Sequence, residues 1–418
     1  MTRRRALRTS LLLLLLFGLA LPPGALAQWA VSSNDNKVML DNGVVKIVPN
    51  AAPDTVTIID LGANPPKVVA EIPVPGSVVG PPMSVAITPD QGLALVTSST
   101  KKDPADATKT VPDNRLTVVD LRATPPAVIA TLEAGKGAAG VSINRQGTLA
   151  LVANRAEGSV SVFTIQGKTV APSSVVRLGD EKSGPSQPAF TRDGRAALVT
   201  RDGDSFISVL TVDGTKVEHS KRDLSAGMRP YGLDVSADGS IAVVANIGRG
   251  QGDSDTVSVI DLQAQPFRVV ETVVVGQTPE GIVLSPDGKL CAVVVMNGSN
   301  KPRESPFYNA NGKLLLYRVD GTRLVPAAAA WIGRWSQGIA FSADSRTILV
   351  QNMVEKEIYV LRWDGSTLQD TGQRIKTTGA SAAIRTAPRP YSPLRARASP
   401  AQSVRGEVRK GGVSPPPS

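Results

Sequence analysis

The chain has 418 residues, 41% of them apolar and 4% aromatic, with 38 glycines, 32 prolines and a formal charge of +10. That is enough apolar chain for a large core, and short apolar runs punctuated by Gly and Pro, with little helical periodicity, point to an all-β class. Residues 1–27 carry +4, residues 386–418 carry +5 and residues 28–385 only +1, which argues against specific nucleic-acid binding by the body, because that binding needs clustered Lys and Arg against phosphate.

Arg3, Arg4, Arg5 and Arg8 precede an apolar block at residues 11–20, and Ala25-Leu26-Ala27 places small residues at the cleavage-defining positions. This predicts a signal peptide cut before Gln28 and a periplasmic or secreted protein. The block is shorter than the roughly 20 residues of a membrane span, so no transmembrane segment is expected after cleavage. Arg3-Arg4 alone does not separate the general from the twin-arginine route. Cys291 is the single cysteine, which precludes an intramolecular disulfide, and its place in KLCAVVV reads as a small apolar strand residue.

From residue 29 the chain offers WAVSS, a polar excursion over residues 34–52, then DTVTIIDL and KVVAEI. A recurring unit follows, best formed in LDVSADGSIAVVAN at residues 233–246. Two runs alternating with period two flank an Asp-Gly turn, which is the signature of a β-hairpin. The unit starts at Val85, Val141, Pro188, Leu233, Ile282 and Ile339, spaced by roughly 45 to 57 residues, and each repeat contains four runs. Four runs at that spacing predict propeller blades. Six blades are complete. A seventh is predicted to be split, with residues 381–386 as its first strand and residues 29–74 supplying the other three, because closing the ring with both ends removes an exposed sheet edge. The expected fold is therefore an all-β, seven-bladed β-propeller of four-stranded antiparallel blades over residues 28–386. Residues 387–418, rich in Pro, Arg and Ser, read as a disordered basic tail. Its charge suits weak contact with anionic lipid or cell-wall polymer, against the alternative of a solvated tail with no partner.

Val152-Ala153-Asn154, Val244-Ala245-Asn246, Val118-Val119-Asp120 and Val257-Ser258-Val259-Ile260-Asp261, together with the Asp-Gly turns, resemble the YVTN-repeat propellers and the seven-bladed lactonase-like superfamily. The resemblance spans nearly all of residues 29–386 and specifies fold more than function, since its motifs are turn and strand residues.

The insertions at residues 34–52, 101–114, 247–255 and 297–312 all fall between second and third strands, so one rim collects the long loops and is the expected site. The interblade segments GPSQ, RPYG, TPEG and WSQG end beside the channel on that rim. They nominate Gln187, Arg229, Tyr231, Glu280, Trp335 and Gln337 as ligand-binding residues, or as groups that merely plug the channel. Arg303, Glu304, Phe307 and Tyr308 suit a partner surface. His219 is the only histidine and reads as a solvent-facing residue of an outer strand, which removes Ser-His-Asp and Cys-His sites and the channel histidine on which lactonase-like relatives rely. Asp253 and Asp255 read as turn residues rather than calcium ligands. No metal or cofactor is predicted.

These readings point to an exported binding or interaction module that takes a small molecule or a protein at the loop-rich rim. The alternative is a lactonase-like hydrolase with Glu280 as base and Arg229 holding a carboxylate. A third reading, an accessory subunit of a quinone-dependent dehydrogenase, rests on the resemblance alone.

Overall fold

The computed structural model describes residues 28–388; the predicted signal peptide and nearly all of the predicted tail lie outside them. The described chain is a ring of seven antiparallel sheets with no helix. Blades 1 to 6 occupy residues 85–133, 138–177, 185–225, 230–276, 279–332 and 336–376, each running from the channel outward in chain order. In blade 3 the outermost position is shared by two short strands, Lys216–His219 and Leu224–Ser225. Blade 7 is the split one: Ala380–Thr386 is innermost and pairs with Trp29–Asp35, followed by Thr55–Asp60 and Lys67–Pro73.

The core lies between blades rather than within them. One apolar cluster joins Val31, Val56 and Ile58 of the split blade to Val85, Ile87 and Val96 of blade 1. Another joins Ala30, Ile59 and Ile384 to Leu349, Ile358 and Val360 of blade 6. The split blade is thus packed on both sides, and every other blade pair shares a comparable cluster. Cys291 is fully buried in one of them, as the apolar reading expects.

Two polar devices repeat around the ring. At the hairpin turns a Ser or Thr two residues before an aspartate donates to it: Thr88 to Asp90 at 2.6 Å, Thr191 to Asp193 at 2.7 Å and Ser236 to Asp238 at 2.7 Å. Burial alone would raise the Asp90, Asp238, Asp287 and Asp344 carboxyls, but these hydroxyl bonds and the backbone N–H groups of the turn hold them below the ordinary range. The second device is the asparagine ending the second strand. Asn246 donates to Thr256 and Ser258 at 3.0 Å each, and its oxygen accepts the Gly227 N–H at 3.2 Å. Asn154 does the same with Ser159, Ser161 and Gly135. Each asparagine thereby clamps the third strand and the approach to its own blade.

The excursion at residues 101–114 is mostly strand. Leu93–Lys102 and Thr110–Asp120 pair out to Lys102↔Thr110, with a register shift between Ser98 and Thr100. The excursion at residues 34–52 contains a separate hairpin, Val38–Asp41 with Val44–Ile47.

Asn246→Ala removes three hydrogen bonds from a side chain that is 1% exposed and strands two hydroxyls and an N–H. The expected loss is about 2 to 4 kcal/mol, measurable as a lower chemical-denaturation midpoint. Ser240→Ala in the same blade, where a half-buried hydroxyl loses one bond to Asp238, should cost less.

Candidate functional site at the channel mouth

The inner strands all start on the rim that carries the insertions, and the residue just before the strand is left-handed in blades 2 to 6. Glycine fills this place at Gly137 and Gly184, but Arg229, Thr278 and Trp335 hold φ of 54°, 54° and 45°. A left-handed residue with a side chain costs on the order of 1 kcal/mol or more. Blades 4, 5 and 6 bear that cost and gain fixed side chains at the rim. Two residues on, Tyr231, Glu280 and Gln337 occupy equivalent places in the same blades.

Arg229 donates through Nη2 to Asp202 Oδ2 at 3.0 Å, through Nη1 to the Gly248 carbonyl at 3.4 Å, and keeps 40% of its side chain exposed. Asp202 is 2% exposed and is also gripped by both Nη atoms of Arg155, one at 2.8 Å, and by the Ser186 hydroxyl at 2.8 Å. Burial pulls the Asp202 carboxyl upward, but Arg155, Ser186 and Arg229 together keep it low. Arg155 lies over the buried Tyr231 ring at 5.5 Å, and burial raises the Tyr231 phenol. Burial also pushes the Glu280 carboxyl up to about 8, against the pull of the Gln337 amide, Arg229 and Arg155. Glu280 is partly exposed, and a carboxyl raised that far is mostly protonated near pH 7.

Gln187 is 3% exposed, gives its amide N–H to the Pro188 carbonyl at 2.7 Å and leaves Oε1 without a donor. Gln337 Oε1 is likewise buried without a donor. The structure therefore gathers Arg229, Tyr231, Glu280 and Gln337 around Arg155 and Asp202.

Trp335 is placed differently. It packs with Met296, Met353, Val38 and Val78 under the hairpin formed by residues 38–47, and its N–H reaches Ser299 Oγ at 3.0 Å. The residues of the 297–312 loop are braced rather than free. Asn42 accepts the Arg303 N–H and donates to Glu304, both at 3.0 Å, and Phe307 abuts Gly252 of the neighbouring insertion while 44% exposed. Tyr308 donates its backbone N–H to the Ser305 carbonyl.

His219 departs from expectation. Its side chain is 7% exposed, with Nε2 2.7 Å from Asp223, because the chain between the two short outer strands of blade 3 turns back over it. Asp223 also pairs with the buried Arg201. Asp255 accepts the Thr278 N–H at 2.8 Å, and burial raises its carboxyl to about 6. Among the described residues no three His, Cys, Asp or Glu side chains are grouped to hold a metal.

Arg155 and Asp202 were not singled out from the sequence. Both directly follow a second strand, as do Ile247, Met296 and Met353 in blades 4 to 6. Aligning that one position across repeats is the signal that finds them. A larger hollow of about 1210 Å³ lies away from this cluster, between blades 3 and 4, and is lined by Arg192, Leu224, Leu262 and Phe267.

The fold and this site define a seven-bladed propeller with an ionic channel mouth. No family model matches the chain, and no curated protein is significantly similar to it. Among solved structures it is similar to a candidate 6-phosphogluconolactonase from Bacteroides fragilis, at 16% identity over 88% of this chain and 99% of that one, TM-score 0.66. It is also similar to the periplasmic gluconolactonase of Pseudomonas aeruginosa, at 17% identity over 86% and 99%, TM-score 0.60. A chain of Kuenenia stuttgartiensis hydrazine synthase matches at 19% identity over 76% and 92%, TM-score 0.58. The shared property is the β-propeller fold.

Because the folded Glu280 value exceeds the unfolded 4.5, its carboxyl favours folding least at high pH. The penalty is absent below about pH 4.5 and grows as pH rises through about 8. Glu280→Gln should therefore match the parent in thermal stability at pH 4 and exceed it at pH 8. The gap should widen by at most about 1.4 kcal/mol per pH unit, read by calorimetry at a series of pH values.

Proposed function

We propose that the charged half of the mouth binds a small hydroxylated carboxylate of the sugar-acid class, and that the protein acts as a binding module outside the cytoplasm. Export rests on the leader predicted in residues 1–27. The observation that carries the reading is Arg229, half in solvent and fixed by Asp202 beside a neutral Glu280. Two arginines against one ionised carboxylate leave an excess positive charge facing the channel, which suits a carboxylate held by charge-assisted hydrogen bonds. The donorless Gln187 and Gln337 oxygens would accept from ligand hydroxyls, removing the cost of their own isolation.

A second reading is favoured by the raised Glu280 carboxyl. In lactone hydrolysis ionised Glu280 would take a proton from water, the resulting hydroxide would attack the ring carbonyl, and Arg229 would stabilise the oxyanion. The ring oxygen would then leave with that proton, giving the hydroxy acid.

The two readings predict opposite responses to pH. Carboxylate binding is strongest below about pH 8, where Glu280 is neutral, and weakens as it ionises and competes for Arg229. Hydrolysis through a Glu280 base rises with pH through about 8 and then levels. Calorimetric titration with gluconate, alongside a gluconolactone hydrolysis assay, measures both. Arg229→Gln should weaken gluconate binding by roughly 10- to 150-fold, the worth of one hydrogen bond to a charged group. Glu280→Gln should keep binding intact above pH 8 and abolish any hydrolysis. Absence of gluconate binding at millimolar concentration, or binding indifferent to Arg229→Gln, overturns the binding reading.

A further inference from the structure

The other end of the channel, on the side of the Asp-Gly turns, holds a second polar constellation. A cavity of about 190 Å³, partly open to solvent, is lined there by the far halves of all seven inner strands, mostly by aliphatic residues such as Val141, Leu233 and Val283. Three charged side chains line it: Arg145 from blade 2, Asp234 from blade 4 and Arg385 from blade 7. None was singled out from the sequence, and none takes part in the mouth cluster.

Their hydrogen bonding is unbalanced. Asp234 is committed to the backbone, accepting the Leu284 N–H at 2.8 Å on Oδ2 and a further N–H from Val235. Arg385 feels the Asp234 charge, and Arg145 feels Arg192 together with Asp234 and Asp238, which leaves the net charge around the cavity positive. Among the described residues, however, neither Arg145 nor Arg385 makes an ion pair within 4.0 Å or a side-chain hydrogen bond. A guanidinium carries five N–H donors, and Arg145 and Arg385 are both partly withdrawn from solvent, where unmet donors are costly. The protein keeps two such groups against one carboxylate, around a space equal to several water molecules at about 30 Å³ each. The missing elements are acceptor oxygens and one negative charge.

We propose that the turn-side end of the channel binds a small oxyanion, of phosphate or carboxylate type, through Arg145 and Arg385. Asp234 limits the affinity by repulsion and excludes highly charged anions. The cavity wall is largely aliphatic, which makes each arginine contact stronger than on an open surface. The constellation is built from three different blades, so an occupant also ties those blades together across the channel axis.

The test uses inorganic phosphate and acetate as separate probes on the mature protein, at constant ionic strength, with thermal unfolding and calorimetric titration as readouts. Expected is a saturable rise in melting temperature with at least one of them, lost in Arg385→Gln and in Arg145→Gln but retained in Arg229→Gln at the opposite end. Asp234→Asn removes the repelling charge and should tighten binding by roughly tenfold. That variant keeps the proposal testable if the arginine variants fold poorly. Phosphate and acetate arms that differ identify which oxyanion geometry fits. No saturable effect from either probe, or an equal effect in Arg385→Gln and the parent, overturns the proposal, as does Asp234→Asn leaving affinity unchanged. Loss of binding in Arg229→Gln alone would place the anion at the mouth and sink this site.

Discussion

Close approach of neighbouring inner strands is the constraint on which the rest of the structure depends. Seven strands must converge on a narrow channel, and there is no room for a side chain where one crosses the next. A Cβ on Gly232 would stand 2.3 Å from the Glu280 carbonyl, and one on Gly281 would stand 2.2 Å from that of Gln337. Removing the side chain lets the next blade's strand lie against the backbone, and that contact sets which residues reach the channel. The residue just before each such glycine is turned toward the axis, which is why Tyr231, Glu280 and Gln337 cluster although they are about fifty residues apart in sequence.

Much of this was legible because a propeller repeats its rules. The Asp-Gly hairpins, the second-strand asparagines and the split seventh blade follow from turn chemistry, period-two alternation and the need to leave no open edge. The site was half legible for the same reason. Arg229, Glu280 and Gln337 sit in the interblade segments, where a departure from small residues is conspicuous. Arg155 and Asp202 were hidden in VANRAEG and TRDGD, where they look like turn residues next to turn residues. Trp335 is placed differently from the other mouth candidates: it is adjacent to the mouth, but a hairpin from the split blade arches over blade 6 and encloses it with methionines. No local pattern announces that arch, because it depends on Asn42 meeting Arg303 and Glu304 across some 260 residues. His219 was misread because burial of an outer-strand residue depended on a short strand break in one blade.

The mouth is divided as a result. The side formed by blades 5, 6 and 7 is closed by the hairpin and its apolar cluster. The side formed by blades 2, 3 and 4 carries Arg155, Asp202 and Arg229 and retains solvent contact. A charged group near a dry wall interacts more strongly than one in open water. The apolar half thus lowers the local dielectric beside the charged half, in line with the burial that raises the Glu280 carboxyl. The strained Arg229 and Trp335 backbones fit the same division, since each fixes one half.

Net charge conceals this organisation. Residues 28–385 sum to +1, which correctly argues against a phosphate-tracking surface, yet the average is made of local imbalances. Around the ring the aspartates are spent on turns, where hydroxyls and N–H groups neutralise them. Along the axis the balance tips the other way: Arg155 and Arg229 share one aspartate at the mouth, and Arg145 and Arg385 face a single backbone-bonded Asp234 at the turn side. A near-neutral propeller therefore presents a positive axis inside a rim of satisfied carboxylates. A focused field of this kind needs no net charge on the molecule that makes it.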